Sequence, residues 1–240
     1  MKYAGKTVTG LRPQNEDNYL ILHTDTIDAV AVSDGMGGHR AGEVASALAV
    51  ETLERVLSKA DNSPEALLSE AFSEANAVVH TRASTSDEMY GMGCTLVGAI
   101  LEKEQFVAAN IGDSRLYHFD GETLRPVTHD HSFVAELVRR GAITPEEAKT
   151  HPRRNLITRA VGTEARVKAD IFVCEWKPGE MLLLCSDGLC GVLEDAEMAE
   201  FLKDTDDLEK ACSRLIDAAL EAGSRDNITV VLVKNDGGNA

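Results

Sequence analysis

Residues 31–46 read AVSDGMGGHRAGEVAS, an apolar strand ending that passes through a carboxylate and closely spaced glycines into a helix. The run Ile27 to Val32 is apolar enough for a buried strand, and Asp34 falls where that strand should end. Gly35, Gly37, Gly38 and Gly42 let the backbone turn tightly and approach whatever Asp34 holds, with a helix expected from about Arg40. Taken alone, Asp-Gly is ordinary turn chemistry. The stretch gains weight because LLCSDGL at 183–189 repeats the device: a buried strand that delivers Ser-Asp-Gly at its tip.

Working outward, the helix after Arg40 keeps Val44, Ala45, Leu48, Ala49, Leu53, Val56 and Leu57 on one face, so it packs on something flat. Ser63-Pro64 opens a second helix through Leu67, Ala71, Ala75 and Val78, with Ser as cap and Pro in the first turn. Toward the N-terminus, residues 2–11 read as a strand, RPQNED at 12–17 as a loop or bulge, and Tyr19 to Leu22 as a resumed strand. Four strands then follow at Thr95–Leu101, Gln105–Ala109, Ser114–Phe119 and Leu124–Thr128, read as one antiparallel meander. Between the second and third, NIGDSR at 110–115 places Asp113 at a strand junction.

From His129 to Gly162 the chain turns polar and basic, with Arg139, Arg140, Arg153, Arg154 and Arg159 gathered together. Two short helices, through Val134 to Val138 and after Thr144-Pro145-Glu146, make this an excursion of the kind that covers a site. Strands return at Ala169–Cys174 and Met181–Cys185. A short helix from Asp195 and a longer one from Asp206 to Ala222 lead to a last strand, Ile228–Val233, preceded by Ser224-Arg225-Asp226-Asn227. Strands with two helices, a block of strands, then strands with two more helices suit an α+β layered domain rather than a doubly wound sheet. One domain over residues 1–235 is expected, with a flap at about 139–160 and a frayed tail at 236–240.

The 240 residues carry 40 acidic against 24 basic side chains, a formal charge of −16, and 43% hydrophobic content. That charge argues against nucleic acid and anionic membranes as partners. The chain has no long apolar run and MKYAGKTVTG lacks the core of a signal peptide, so a cytoplasmic location is expected. Five cysteines without a CxxC pair support neither a disulfide framework nor zinc, and the seven histidines contain no HExxH.

Asp34, Asp113, Asp187 and Asp226, with Glu16 and Asp17, are carboxylates at strand ends or adjoining loops. If those ends converge, their mutual repulsion calls for cations, and an all-oxygen set suits Mg²⁺ or Mn²⁺ rather than zinc. An EF-hand is excluded because no DxDxDG loop with its closing Glu occurs. GMGGHRAG lacks the Lys-Ser/Thr of a P-loop, Arg40 replaces the third glycine of GxGxxG, and no GxSxG is present. Two hard cations roughly 3.5–4 Å apart can bridge a water, lower its pKa and aim it at phosphorus. A guanidinium is needed for the phosphate oxygens, and Arg12 stands close before Asp17. The residues themselves lead to metal-assisted hydrolysis of a phosphate ester, with no substrate specified.

Taken together, RxxNED (12–17), VSDGMGGHxAGExAS (32–46), GMGCT (91–95), NIGDSR (110–115), DHSxVxELVRxG (130–141), HPRRNLITRAVG (151–162), LLCSDGL (183–189) and SRDNITVV (224–231) run through nearly the whole chain. In that order they resemble the bacterial branch of the type 2C metal-dependent serine/threonine protein phosphatases. The resemblance implies a four-layer αββα sandwich, two antiparallel sheets flanked by helix pairs, with two Mn²⁺ or Mg²⁺ ions, and room for a third, between the sheets at one end. It implies that Asp34 bridges both metals, that the Gly35 carbonyl ligates one, and that Asp187 and Asp226 complete the other. Glu16 and Asp17 match an outer acidic pair, Asp113 with Asp187 a third metal site, and Arg12 the phosphate-binding arginine. It further implies a monomer acting on phosphorylated proteins, opposing a bacterial serine/threonine kinase.

The chain departs from the family pattern at named positions. Met36 stands where eukaryotic relatives carry a histidine proposed as general acid, and His39 is not assumed to replace it. Thr9 occupies a position that is Asp in many relatives. Cys94 occupies one that is often Thr, which raises the idea of redox sensitivity near the site. The rival reading is a metal-binding phosphoprotein-recognition module without turnover; a nucleotide-binding loop is disfavoured by the missing P-loop lysine.

Overall fold

The computed structural model describes residues 1–37, 41–59, 62–85, 87–203 and 205–237. Its strands are β1 (Lys2–Val8), β2 (Asp17–His23), β3 (Asp28–Met36), β4 (Gly93–Cys94), β5 (Leu96–Leu101), β6 (Gln105–Ile111), β7 (Arg115–Phe119), β8 (Leu124–Pro126), β9 (Asp170–Glu175), β10 (Met181–Cys185) and β11 (Ile228–Lys234). The helices are α1 (Ala41–Leu57), α2 (Pro64–Thr85), α3 (Phe133–Arg139), α4 (Pro145–Lys149), α5 (Asp187–Cys190), α6 (Asp195–Leu202) and α7 (Leu208–Glu221). The strands form two antiparallel sheets, ordered β1-β11-β10-β7-β8 and β2-β3-β5-β6-β9, with β4 paired to the end of β3.

Strand periodicity explains the layering. Alternate residues of one strand face opposite sides of its sheet. In β3, Ala29 and Ala31 face α1 and α2, while Val30 and Val32 meet the sheet that contains β11. In β11, Ile228, Val230 and Leu232 face α6 and α7, while Val231 and Val233 meet the sheet that contains β3. Both strands are therefore apolar on both faces, which is why they read as unbroken hydrophobic runs. The four-layer αββα sandwich expected above is the fold observed.

Three local expectations are corrected. The block of four strands is not one meander: β5 and β6 belong to one sheet and β7 and β8 to the other. The crossing falls at Gly112, whose φ of 111° and closeness to Thr95, 2.7 Å from an added Cβ, require glycine. Asp34 lies inside β3 rather than at its tip, because β4 pairs Gly35 with Cys94 and extends the ladder. Asp187 does not end a strand either; β10 stops at Cys185 and Asp187 opens α5. The expected helix start at Arg40 and the end of the tail, 238–240, lie outside the described residues, within which α1 begins at Ala41.

The excursion is rooted on both sides of one sheet end. On its outgoing leg, the His131 N–H donates to the Gly112 carbonyl (2.9 Å) and the Gly112 N–H donates to His131 Nδ1 (3.0 Å). On its return leg, Val161 and Cys94 exchange backbone hydrogen bonds of 3.1 and 2.8 Å. Thr144 and Glu147 form the capping box that starts α4.

Candidate active site

Asp17 and Asp34 stand opposite each other in the β2–β3 register. Asp17 is buried, and its Oδ2 accepts hydrogen bonds from Ser186 Oγ (2.8 Å) and Thr229 Oγ1 (2.6 Å), both from the opposite sheet's strand ends. A carboxylate thus joins the two sheets at the end where the loops converge. Asp34 is held through its backbone: its N–H donates to Thr95 Oγ1 (2.9 Å), and the Thr95 N–H donates to its carbonyl (2.8 Å). Thr95 Oγ1 lies 2.7 Å from Ser114 Oγ, which ties this corner to the loop carrying Asp113.

The RPQNED loop is held by Asn227. Its Oδ1 accepts from the Glu16 N–H (2.8 Å), and its Nδ2 donates to the carbonyls of Thr9 (2.8 Å) and Gln14 (2.9 Å). Ser46 from α1 donates to the Glu16 carbonyl (2.5 Å), which also accepts from the Gly35 N–H (3.1 Å). Glycines permit this crowding. A Cβ on Gly35 would lie 2.1 Å from the Gly42 carbonyl oxygen, and one on Gly188 only 1.9 Å from that of Asn227.

The electrostatics follow from this packing. Burial, then Asp17, Asp187, Asp113 and Asp226, raise the carboxyl of Asp34 well above its usual range. Burial leads again at Asp17, pushed up to about 6, at Asp113, pushed up to about 7, and at Asp187 and Glu16, both raised. Asp187 Oδ1 and Asp17 Oδ1 are buried without a hydrogen-bond partner. Orphaned anionic oxygens that repel each other are the chemistry a hard divalent ion relieves, so the donor set fits Mg²⁺ or Mn²⁺. Among the described residues no three carboxylate, histidine or cysteine side chains already stand in the arrangement to hold one ion. A hard ion that keeps several waters needs only one or two carboxylates, so the orphaned oxygens of Asp17 and Asp187 fit such an ion without a preformed cage.

All the sequence-derived residues meet in this region. Arg12, Glu16, Asp17, Asp34, Asp113, Asp187 and Asp226 are within charge range of others in the group, and Gly35 follows Asp34 in β3. Arg12 is not free: its Nη2 makes a 2.7 Å ion pair with Asp226 Oδ2. Met36 is half-buried opposite Gly93, and His39 lies outside the described residues. Cys94 is in the core; burial pushes its thiol up to about 12, and it faces the Ala45 carbonyl. That environment removes the basis for a redox role. Sequence reasoning missed Ser186, Thr229, Asn227, Thr95 and Ser46, the residues that position the carboxylates. The signal for one was present, since both copies of the repeat carry serine before aspartate.

The family profile described as protein phosphatase 2C matches residues 9–229. The chain belongs to that family. It is 42% identical over 236 residues to the serine/threonine phosphatase stp of Listeria monocytogenes serovar 1/2a, covering 94% of this chain and 92% of that protein. The crystal structure of serine/threonine phosphatase Stp1 from Staphylococcus aureus superposes with a TM-score of 0.91 at 37% identity, covering 97% of this chain and 94% of that one. The catalytic domain of serine threonine protein phosphatase PstP, solved in complex with 2 manganese ions, gives 0.87 at 34% identity and covers 97% of both chains. Like these relatives, this member of the protein phosphatase 2C family is an enzyme, a protein serine/threonine phosphatase. No described helix is long and apolar enough to cross a membrane.

Proposed function

We propose that residues 1–235 form one phosphatase domain that removes phosphate from phosphoserine and phosphothreonine in proteins with the aid of two Mn²⁺ or Mg²⁺ ions, reversing a bacterial serine/threonine kinase. Asp34, shared between the ions, would hold them together with the Gly35 carbonyl, Asp187 and Asp226. Glu16 and Asp17 would support the outer coordination, and Asp113 with Asp187 would offer a third position. When bound, such ions supply Lewis acidity to a nucleophilic water and to the phosphoryl oxygens.

The chain's own groups prepare this site. Ser186 and Thr229 hold Asp17 Oδ2 and leave its buried Oδ1 without a partner, and Asn227 fixes the loop that carries Arg12 and Glu16. Arg12 exchanges Asp226 for the substrate's phosphate oxygens, which it holds by charge-assisted hydrogen bonds. The flap at 139–160 contains six basic and two acidic side chains, the reverse of the whole chain's balance. Rooted beside Gly112 and Cys94, this flap draws an anionic phosphoprotein to an otherwise acidic molecule. The enzyme acts as a monomer in the cytoplasm, where its thiols are reduced until an oxidant reaches them.

The observation that carries the reading is the cluster of half-buried and buried carboxylates with orphaned oxygens. The test is phosphate release from a phosphothreonine peptide by protein stripped with a chelator, then given Mn²⁺ or Mg²⁺. Activity should be absent after stripping and return with the ion. A folded, metal-loaded protein that releases no phosphate would overturn the proposal.

A further inference from the structure

Two of the five free thiols flank Asp187. Strand β10 ends at Cys185, Ser186 is the N-cap, and α5 spans Asp187–Cys190. Counted from that cap, Cys185 immediately precedes it and Cys190 is the fourth helical residue. These are the two positions whose side chains pack on each other across a helix start, the hydrophobic staple. Here both are thiols.

The surroundings hold them together. Cys185 is buried in the core beneath α6 and α7, and half-buried Cys190 packs against that same cluster. Cys190 is the first influence that raises the Cys185 thiol, ahead of burial, as two neighbouring side chains on one core cluster require. Cys190 Sγ also points back over the helix start, 3.6 Å from the Ser186 carbonyl. Arg115, opposite Cys185 in the β7–β10 register, is pinned by a bidentate pair with Asp130 (2.8 and 2.7 Å) and by Tyr117. Cys94, by contrast, is buried in the other helix-facing cluster, and Cys212, though in the same cluster as Cys185, is carried by α7 rather than by the turn at Asp187.

We propose that Cys185 and Cys190 are a dithiol modification site, closed to a disulfide by a hydroperoxide, and that closure displaces the turn carrying Asp187. The Cys190 sulfur attacks one peroxide oxygen, the O–O bond breaks, and the products are a sulfenic acid and an alcohol, or water when the oxidant is hydrogen peroxide. The Cys185 sulfur then displaces the hydroxyl, which leaves as water with the remaining thiol hydrogen. Two thiols are oxidised and one peroxide is reduced. The bond draws the sulfurs to about 2.05 Å, well inside the packing distance of two thiols. α5 is one turn long and Gly188 already abuts the Asn227 carbonyl, so the shift falls on Asp187. The functional half of the proposal rests on placing Asp187 in the active site; disulfide formation itself does not.

The experiment treats the full chain with hydrogen peroxide and follows intact mass, a nonreducing peptide map and phosphate release in one sample, alongside Cys190→Ser, Cys185→Ser and Cys94→Ser. Wild type and Cys94→Ser should lose the mass of two hydrogens and show a 185–190 cross-link, reversed by dithiothreitol. Phosphate release should fall by more than about tenfold on closure, since ligand positions must hold within a fraction of an ångström. Cys190→Ser should keep its mass and its activity; Cys190→Ala serves if the serine variant folds poorly. The proposal is overturned if no 185–190 cross-link forms, or if it forms and phosphate release is unchanged. Untreated protein that releases no phosphate with Mn²⁺ would count against the phosphatase reading instead, while the mass and peptide map still decide the disulfide.

Discussion

The two Ser-Asp-Gly copies share a tripeptide and converge on one site, yet they fold differently. Ser33-Asp34-Gly35 is extended within β3, whereas Ser186-Asp187-Gly188 caps and opens α5. After Gly35 the chain finds β4 as a partner, so the ladder continues to Met36. After Ser186 the backbone winds instead, and the Gly191 N–H donates to the Asp187 carbonyl (2.7 Å). The serines differ as well: Ser33 Oγ donates to the Thr95 carbonyl (2.7 Å) in its own sheet, while Ser186 Oγ reaches across to Asp17. A short motif selects the groups; the available hydrogen-bond partners select the conformation.

The largest expected effect tests whether the copies are functionally equal. Asp34→Asn and Asp187→Asn should each lower the rate of phosphate release by about a thousandfold or more, because each removes charge from where ions stabilise the transition state. Asp34→Asn should also raise the melting temperature of metal-free protein, since it removes a repelled, half-buried charge. A metal-free melting temperature that falls would break the electrostatic account.

Backbone crowding comes next. Gly35→Ala and Gly188→Ala should each cost about 1–3 kcal/mol or more in chemical denaturation, as their Cβ atoms would meet carbonyl oxygens. Gly121→Ala, in open space, should suffer only from its φ of 100°. Equal losses at Gly35 and Gly121 would count against the close approach.

The serines should separate more finely. At pH 8, Ser186→Ala should cost about 1.5–3 kcal/mol by removing a donor to a buried carboxylate, and Ser33→Ala only about 0.5–1.5 kcal/mol. Urea unfolding measures both, and the reverse order would contradict the assigned partners.

The smallest effect is in pH. Asp17 and Asp113 are pushed up to about 6 and about 7, so the folded, metal-free protein binds protons that the unfolded chain has released. Their contribution to stability is complete below the unfolded carboxylate range and is lost as pH rises through 6 to 7. Thermal scans in chelator from pH 5 to pH 8 should show a steeper decline for wild type than for Asp113→Asn. Mn²⁺ should protect more at pH 8 than at pH 5, because it meets fully ionised ligands.

Much of this was legible in residue order. Apolar runs at β3, β10 and β11 were visible because strands buried on both faces lack alternation. The carboxylates stood out because acidic residues beside glycine at strand ends are costly without a counter-charge. The sheet change at Gly112 was not legible, since β6 and β7 have the same pattern whichever sheet they join. Cys94 drew attention by its neighbours in sequence, whereas its burial shields it; Cys174 and Cys190 are the half-buried thiols.

Periodicity and local motif chemistry gave an α+β layered domain with Arg12 and the carboxylates Glu16, Asp17, Asp34, Asp113, Asp187 and Asp226 set for one site; the αββα arrangement, the family and the part of Gly35 came through the resemblance carried by the motifs in order. The tertiary structure decided what faces what: Asp17 as the link between sheets, Arg12 on Asp226, and Asn227 as the clasp of the first loop. Those pairings join residues up to 214 positions apart. Only the packing of the two sheets brings such distant groups within hydrogen-bonding reach.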